Sequence, residues 1–95
     1  MKFTWDPDKY EENIRKHHIS FKEARTIFLD EHMIRWEDDN HTNIDATEDR
    51  FYALGKSIYN NIILVCFCER FEDTIRIYSA RKAKKEEKED YYASY

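Results

Sequence analysis

The sequence predicts a single α+β domain, in which two N-terminal helices and a C-terminal helix pack on a small antiparallel sheet. Three observations favour this fold. Apolar residues recur at helical spacing in the first third of the chain, apolar runs of strand length separated by polar turns follow, and the tail is again typical of a helix. A length of 95 residues provides one modest hydrophobic core, so we assign residues 1–95 to one domain.

The first third of the chain predicts a strand followed by two helices. A short strand is expected over residues 3–5. The first helix is expected from residue 7 to about residue 17, because an aspartate, a preferred N-cap residue, precedes a proline at the first helical position. The second helix is expected over residues 21–29, since Ser20 and Glu23 form the pattern of a capping box.

Four further strands are predicted in the second part of the chain. They cover residues 33–37, 50–57, 62–70 and 74–80. The third of them is apolar on both faces, as expected at the centre of a covered sheet, and Asn60 can take the left-handed conformation of a hairpin turn before it. In the last strand, alternation places Ile75, Ile77 and Ser79 on one face.

Two segments are dominated by charge. Residues 38–49 are rich in Asp and Glu and contain no Lys or Arg, so they are expected to form a polar loop. The tail from residue 82 is rich in Lys and Glu. A final helix is expected there, with Ala83, Glu87 and Tyr91 along its inward line.

Composition and cysteine spacing indicate a cytoplasmic protein. The longest apolar run, residues 62–68, is too short to span a bilayer, so no membrane association is expected. The N-terminus lacks the apolar stretch of a signal peptide. Cys66 and Cys68 lie two apart in a strand, which disfavours a disulfide between them, and free thiols are typical of a reducing compartment.

Several enzyme classes are excluded by the residue types present. A single glycine cannot build a glycine-rich phosphate loop, a dinucleotide-binding fingerprint or a nucleophile elbow. The cysteine pair does not have the spacing of a structural zinc site, and the acidic loop does not have that of a calcium loop. We therefore expect neither a cofactor nor a metal.

Three arginines and one glutamate form the best candidate for chemistry. Arg50, Arg76 and Arg81 lie in or beside predicted strands, and such positions on a twisted sheet can converge on one anion. Guanidinium groups bind phosphate oxygens bidentately and stabilise the extra charge of a phosphorane. Glu48 could take a proton from a ribose 2′-hydroxyl. The competing interpretation, a salt bridge between each arginine and a carboxylate, is the more common arrangement for strand arginines.

A histidine and several lysines supplement this candidate. His17 ends the first predicted helix, where an imidazole either complements the helix C-terminus or acts as an acid or base. The candidate RNA-binding residues are Lys16, Lys56, Lys82, Lys84 and Lys85. A net charge of −4, from 16 basic and 20 acidic residues, argues against tight nonspecific binding to nucleic acid, so any RNA contact is expected to be local.

Ordered motifs over nearly the whole chain resemble those of the BrnT toxin family. They are Phe3-Thr4-Trp5-Asp6-Pro7, Asn13-x-x-Lys16-His17-x-Ile19-Ser20-Phe21-x-x-Ala24, Phe28 with Asp30, Glu48-x-Arg50 with Gly55, and Arg76-Ile77-x-Ser79-Ala80-Arg81-Lys82-Ala83 with Glu87. The resemblance implies a RelE-like fold and a ribonuclease toxin of a type II toxin–antitoxin system that arrests translation. It also implies neutralisation by a BrnA-like antitoxin, contact with DNA only through that antitoxin, and assembly into a dimer of toxin–antitoxin pairs.

The resemblance can be carried over by position. The residues at the family's recurrent polar positions are Lys16, His17, Glu48, Arg50, Arg76 and Arg81. Two positions depart from the family pattern. His18 stands where the family often has glycine, and Lys84 stands where a threonine often caps the last helix.

Two functions of different classes follow from these features. The first is a metal-independent endoribonuclease, in which Glu48 or His17 moves the proton and the three arginines bind the phosphate. The alternative is a non-catalytic binding module that serves as the antitoxin's partner and as co-repressor of the operon.

Overall fold

The computed structural model describes residues 1–38 and 49–95. In chain order the elements are β1 (Lys2–Thr4), α1 (Pro7–His17), α2 (Phe21–Ala24), a 3-10 helix (Arg25–Leu29), β2 (Ile34–Glu37), β3 (Arg50–Lys56), β4 (Ile62–Arg70), β5 (Thr74–Lys82) and α3 (Lys85–Ala93). The predicted polar loop over residues 38–49 falls almost entirely outside the described residues. Among those that are described, no helix has both the length and the apolar character that crossing a membrane requires.

The described strands form one sheet in the order β1-β5-β4-β3-β2. Neighbouring strands are antiparallel, except that β1 and β5 run parallel. One face, here called the helix face, packs against the N-terminal helices, and α3 covers one end of the other face, here called the open face. The buried core of the helix face consists of Ile19, Phe21, Ala24, Ile27, Ala53, Ile63, Val65, Phe67, Ile75, Ile77 and Ala80. The predicted α+β architecture with a central β4 is confirmed.

Helix α1 has the predicted bounds. Its N-cap residue Asp6 accepts a hydrogen bond from the Asp8 N–H group at 2.8 Å, and a proline follows the cap. The helix ends at His17, and its C-cap residue His18 has a φ of 58°, in the left-handed region. That conformation favours glycine, which explains why glycine suits this position and why the histidine there is a departure.

The second predicted helix is α-helical for four residues and then becomes a 3-10 helix at Arg25. The Thr26 hydroxyl donates to the Glu23 carbonyl at 2.6 Å and so competes with the backbone for the acceptor that an α-helix would use. The same hydroxyl accepts from the Ile58 N–H group at 3.1 Å, which ties the helix to the turn after β3. The prediction of one continuous α-helix is therefore wrong for its last five residues.

Gly55, the one glycine of the chain, allows the 3-10 helix to approach the sheet closely. A Cβ atom at this position would lie 2.9 Å from the Ile27 Cβ and 3.3 Å from both the Ile27 carbonyl oxygen and the Met33 Cγ. The positions of the Ile27 Cβ and carbonyl oxygen are fixed by the backbone. Only glycine leaves room for this packing of helix on strand.

A bulge in β5 reverses the predicted alternation at the end of that strand. Cys66 of β4 pairs with Ser79, and Tyr78 is the extra residue of the bulge. Ile77 is buried on the helix face as predicted, but the next buried position is Ala80, and Ser79 is exposed on the open face. The prediction for Ser79 is wrong because an inserted residue shifts the period-two pattern by one.

The Asn13 side chain joins α1 to β5 directly after this bulge. Its Nδ2 donates to the carbonyls of Ile19 and Ala80 at 2.9 and 2.7 Å, and its Oδ1 accepts from the Ala80 N–H group at 3.1 Å. Strand β1 pairs with β5 only as far as Arg76. Asn13 therefore supplies, from a helix, the hydrogen bonds that a longer β1 would have given to this edge of β5.

Helix α3 is attached through Tyr91 and Asp30. The nearly fully buried Tyr91 phenol donates to Asp30 Oδ2 at 2.6 Å, and the N–H groups of Lys56 and His32 donate to the same carboxylate at 2.9 Å each. Burial alone would raise the pKa of Asp30, but these hydrogen bonds hold it below its ordinary value. Tyr91 is buried and Glu87 is half-buried, as the predicted inward line requires, but the buried Ala83 lies before α3 and is not part of a helical line.

Replacement of Asn13 by alanine is expected to lower the free energy of unfolding by about 2–4 kcal/mol, because the buried backbone groups of Ala80 and the Ile19 carbonyl lose their partner. Circular dichroism should record a fall in Tm of at least about 10 °C. Glu11→Ala, at an exposed position of the same helix, is the control and should change stability by less than about 0.5 kcal/mol. Equal effects of the two variants would contradict this role for Asn13.

Candidate functional site

A cleft of about 460 Å³ opens on the open face beside α3. Its floor is formed by β3, β4 and β5, and its sides by β2, α3 and the end of α1. The lining residues are His17, Trp36, Tyr52, Leu64, Cys66, Ser79, Ala80, Arg81 and Glu87. The cleft thus brings together residues that are far apart in the sequence, including two of the predicted site residues, His17 and Arg81.

Arg81 is held in the cleft by a bidentate ion pair with Glu87. The Nη1–Oε1 and Nη2–Oε2 distances are 2.8 and 2.9 Å. The Lys84 N–H group also donates to Glu87 Oε1 at 2.7 Å, so this glutamate caps α3 in place of an N-cap hydroxyl. The hydrogen bond from Arg81 lowers the pKa of Glu87, and the same bond raises the pKa of Arg81. The salt-bridge interpretation therefore applies to Arg81.

Arg50 lies at the start of β3 on the open face. Its guanidinium carbon is 4.5 Å from the centroid of the Tyr78 ring. Burial raises the pKa of the Cys66 thiol and of the Tyr52 phenol, and the Arg50 charge partly offsets both rises. This arginine is therefore close enough to the cleft floor to influence its chemistry.

The sheet register places all three predicted arginines on the open face. Arg50 and Arg76 lie opposite Cys68, one on each neighbouring strand, which separates their backbones by about 10 Å. Arg81 lies opposite Leu64, four residues along β4 and thus about 13 Å away along the strand. The three positions share one side of the molecule, but Arg81 belongs to the cleft beside α3 and the other two lie towards the opposite end of the face.

His17 borders two adjoining clefts. It is the exposed last residue of α1 and lines both the cleft that holds Arg81 and a second cleft of about 210 Å³. Ser79 is also common to both, so the two spaces meet at these residues. The predicted residue Lys16 lines the second cleft, where its Nζ lies 2.6 Å from Glu12 Oε1.

Within residues 1–38 and 49–95, the remaining predicted residues do not line either cleft. Glu48 lies outside the described residues. Lys56 has its Nζ 5.3 Å from the centroid of an aromatic ring of α3, and Lys82 lines a third cleft of about 170 Å³. Lys84 and Lys85 are exposed at the start of α3, which begins at Lys85 without a side-chain cap from the preceding residue.

Two carboxylates near the first cleft, among the residues that the structure describes, are engaged with neighbouring groups. Glu87 is bound by Arg81, and Asp38 forms a hydrogen bond with Tyr52 that contributes to the raised pKa of that phenol. Over residues 1–38 and 49–95, no three or more His, Cys, Asp or Glu side chains are grouped so as to hold a metal ion.

Sequence reasoning missed Trp36, Tyr52, Cys66 and Ser79 as cleft residues. Alternation along the strands could have found two of them, because Tyr52 shares a face with Arg50 and Cys66 shares one with Cys68. Trp36 required the register between β2 and β3, and Ser79 required the bulge. Neither of these features has a clear signal in the sequence.

Comparison with known proteins defines the class to which this fold and cleft belong. Residues 5–87 match a family model described as "Ribonuclease toxin, BrnT, of type II toxin-antitoxin system". The class is therefore that of ribonuclease toxins from type II toxin–antitoxin systems. Since the match extends over most of its length, the chain belongs to the BrnT family.

A solved structure supports the same assignment. The chain is similar to the crystal structure of the ribonuclease toxin BrnT from Brucella abortus, with 25% sequence identity and a TM-score of 0.65. The similarity covers 90% of this chain and 99% of the Brucella chain. No curated protein matches the sequence.

The Arg81–Glu87 pair predicts a pH-dependent contribution to stability. Because the folded-state pKa of Glu87 is lowered, the contribution is present above the ordinary glutamate range and is lost as the pH falls through the folded pKa. Glu87→Gln is expected to cost about 1 kcal/mol near pH 7 and much less near pH 3, measured as the difference in Tm from the unmodified chain. The adjacent exposed Glu86→Gln is the control, and a pH-independent loss in Glu87→Gln would contradict the ion-pair explanation.

Proposed function

We propose that this chain is an active endoribonuclease that cleaves RNA in the cytoplasm without a metal ion. The observation that carries the proposal is the cleft in which the Arg81 guanidinium and the His17 imidazole line the same space. A fixed positive charge and a group that transfers protons near neutral pH are what cleavage of RNA by its own 2′-hydroxyl requires. Membership in a family of ribonuclease toxins supports this chemistry.

In the proposed reaction, the ribose 2′-oxygen forms a bond to the adjacent phosphorus while the bond from phosphorus to the 5′-oxygen breaks. The proton of the 2′-hydroxyl passes to His17 or to Glu48, which act as alternative bases. The departing 5′-oxygen takes up a proton from solvent water, and the protonated base returns its proton to water. The products are a 2′,3′-cyclic phosphate and a 5′-hydroxyl, so atoms and charge balance without a further reactant.

Arg81 retains donors for a phosphate although it is paired with Glu87. A guanidinium carries five N–H groups. Glu87 accepts from two of them and the Lys82 carbonyl accepts from a third at 3.2 Å. The remaining donor capacity can serve a phosphate oxygen, while Glu87 keeps the group in place. Arg50 and Arg76 would add positive charge from the other end of the open face.

We also propose that cleavage arrests translation and that a BrnA-like antitoxin neutralises the chain. Membership in a type II family implies a protein antitoxin, and the exposed cleft offers a surface that a partner can cover. Contact with DNA would then occur only through that antitoxin. A dimer of toxin–antitoxin pairs is the proposed assembly.

Incubation of the purified chain with cellular RNA in the presence of EDTA is expected to produce fragments ending in a 2′,3′-cyclic phosphate. With His17 as the base, His17→Asn should slow cleavage by about 100-fold, because an acid or base in the transition state contributes at least that factor, whereas an unchanged rate would leave Glu48 as the base. The cleavage rate is read from gels. Phosphatase distinguishes the fragment ends, because it removes a terminal 3′-monophosphate but leaves a 2′,3′-cyclic phosphate in place.

His18→Asn is the matched control for this assay. His18 lines neither cleft, and asparagine tolerates its left-handed conformation, so the cleavage rate should stay within about twofold of the unmodified rate. Intact RNA would contradict the nuclease proposal, and cleavage abolished by EDTA would contradict metal independence. Equal losses in the two variants would contradict the role of His17.

Induction of the chain alone in bacterial cells is expected to stop growth and degrade RNA, and co-expression of the antitoxin should restore growth. Arg50→Ala should weaken toxicity, because it removes positive charge from the open face. Arg25→Ala, exposed on the 3-10 helix, should leave toxicity intact. Growth without arrest, together with retained antitoxin binding, would instead support the non-catalytic module.

A further inference from the structure

The second cleft lies where an RNA strand would continue beyond the first. The two clefts meet at His17 and Ser79, so a strand with its scissile phosphate near His17 would extend directly into the second space. We propose that the second cleft is a subsite for the phosphate of a flanking nucleotide, in which Lys9 binds the phosphate and Glu12 limits the affinity. This inference rests on the proposed ribonuclease function and extends it to a longer, single-stranded substrate.

The helix geometry places the necessary residues on one line. Lys9, Glu12, Asn13 and Lys16 follow the i, i+3, i+4, i+7 spacing of a single helical face, and all four line the second cleft. Asn13 fixes that face against β5. The two lysines lie one helical turn on either side of it, about 10 Å apart along the helix axis. The Asn13–Ala80 hydrogen bonds that hold the helix therefore also place both lysines beside the edge of β5.

The two lysines differ in their surroundings. Lys16 is engaged by Glu12 at 2.6 Å, which lowers the pKa of that glutamate through the hydrogen bond between them. The Lys9 ammonium instead lies 5.1 Å from the centroid of the Tyr78 ring, the same ring that the Arg50 guanidinium approaches at 4.5 Å. Lys9 thus joins a cationic group of the open face, and it is exposed to a ligand from solvent.

Glu12 is the one described carboxylate among the residues that line this cleft. Its carboxylate binds the Lys16 ammonium and adds a negative charge at the position proposed for the phosphate. Removal of this charge should therefore strengthen RNA binding, whereas removal of the Lys9 charge should weaken it. If these residues served only to stabilise α1, substitutions at Lys9 and Glu12 would not be expected to change the affinity for RNA in opposite directions.

The test measures the dissociation constant of fluorescent 2′-O-methyl oligouridylates, which cannot be cleaved because the attacking hydroxyl is blocked. Lys9→Gln is expected to raise the Kd of a six-nucleotide probe by about threefold to tenfold and to reduce the slope of log K against log salt by about 0.7. Glu12→Gln is expected to lower the same Kd by about twofold to fivefold. A two-nucleotide probe, too short to fill both clefts, should show less than about a twofold change in either variant.

Matched controls separate local contact from overall charge. Glu11→Gln changes the charge at the adjacent exposed position of α1, and Lys22→Gln removes an exposed lysine from α2. Both should leave the Kd of the six-nucleotide probe within about twofold of the unmodified value. Changes in Glu11→Gln as large as those in Glu12→Gln would overturn the inference, as would changes of equal size for the short probe.

The outcome can be distinguished from that of the proposed function. If the unmodified chain does not cleave RNA but the probe data follow the expected pattern, the binding subsite stands and the nuclease proposal fails. If the chain cleaves RNA and Lys9→Gln changes neither KM nor the Kd of the six-nucleotide probe, the subsite inference alone is overturned. When both hold, Lys9→Gln should raise KM for long RNA while kcat stays within about twofold.

Discussion

The arrangement of the open face depends on the three hydrogen bonds that Asn13 forms. Two of them join α1 to Ala80, directly after the bulge in β5, at an edge that β1 is too short to reach. The bulge exposes Ser79, and the Asn13 contact keeps the end of α1, with His17, beside that strand. The α1 side of both clefts is therefore held by one buried amide, which supplies hydrogen bonds that the short β1 does not give to β5.

Charge is distributed unevenly on this acidic protein. The net charge is −4, yet Lys9, Arg50, Arg76 and Arg81 all lie on or beside the open face, where the described carboxylates near the clefts are Glu12, Asp38 and the Arg81 partner Glu87. Such a local field can attract a polyanion although the whole molecule repels it, and the attraction should decline steeply with salt. The acidic composition thus limits nonspecific binding elsewhere on the surface and remains compatible with a ligand-binding face.

Much of the fold could be predicted from the sequence, because its signals are local. The N-cap and proline indicated the start of α1, and the apolar run indicated the start of β4 and most of its length. The 3-10 helix was not predictable, because it depends on the hydrogen bonds of the Thr26 hydroxyl to the Glu23 carbonyl and to the Ile58 N–H group. The exposure of Ser79 was not predictable either, since a bulge is fixed by pairing with a distant strand. Of the residues that line the first cleft, the sequence analysis had selected Arg81 and His17 as candidates but not Tyr52 or Trp36, whose positions follow from register rather than from residue type.

The attachment of α3 has a consequence for local unfolding at the first cleft. This helix spans nine residues, too few for stability on its own, and it depends on the Tyr91–Asp30 contact for its position. A break in that contact would let α3 fray while the sheet stays folded. Arg81 would then lose its Glu87 partner, and its guanidinium would gain rotational freedom.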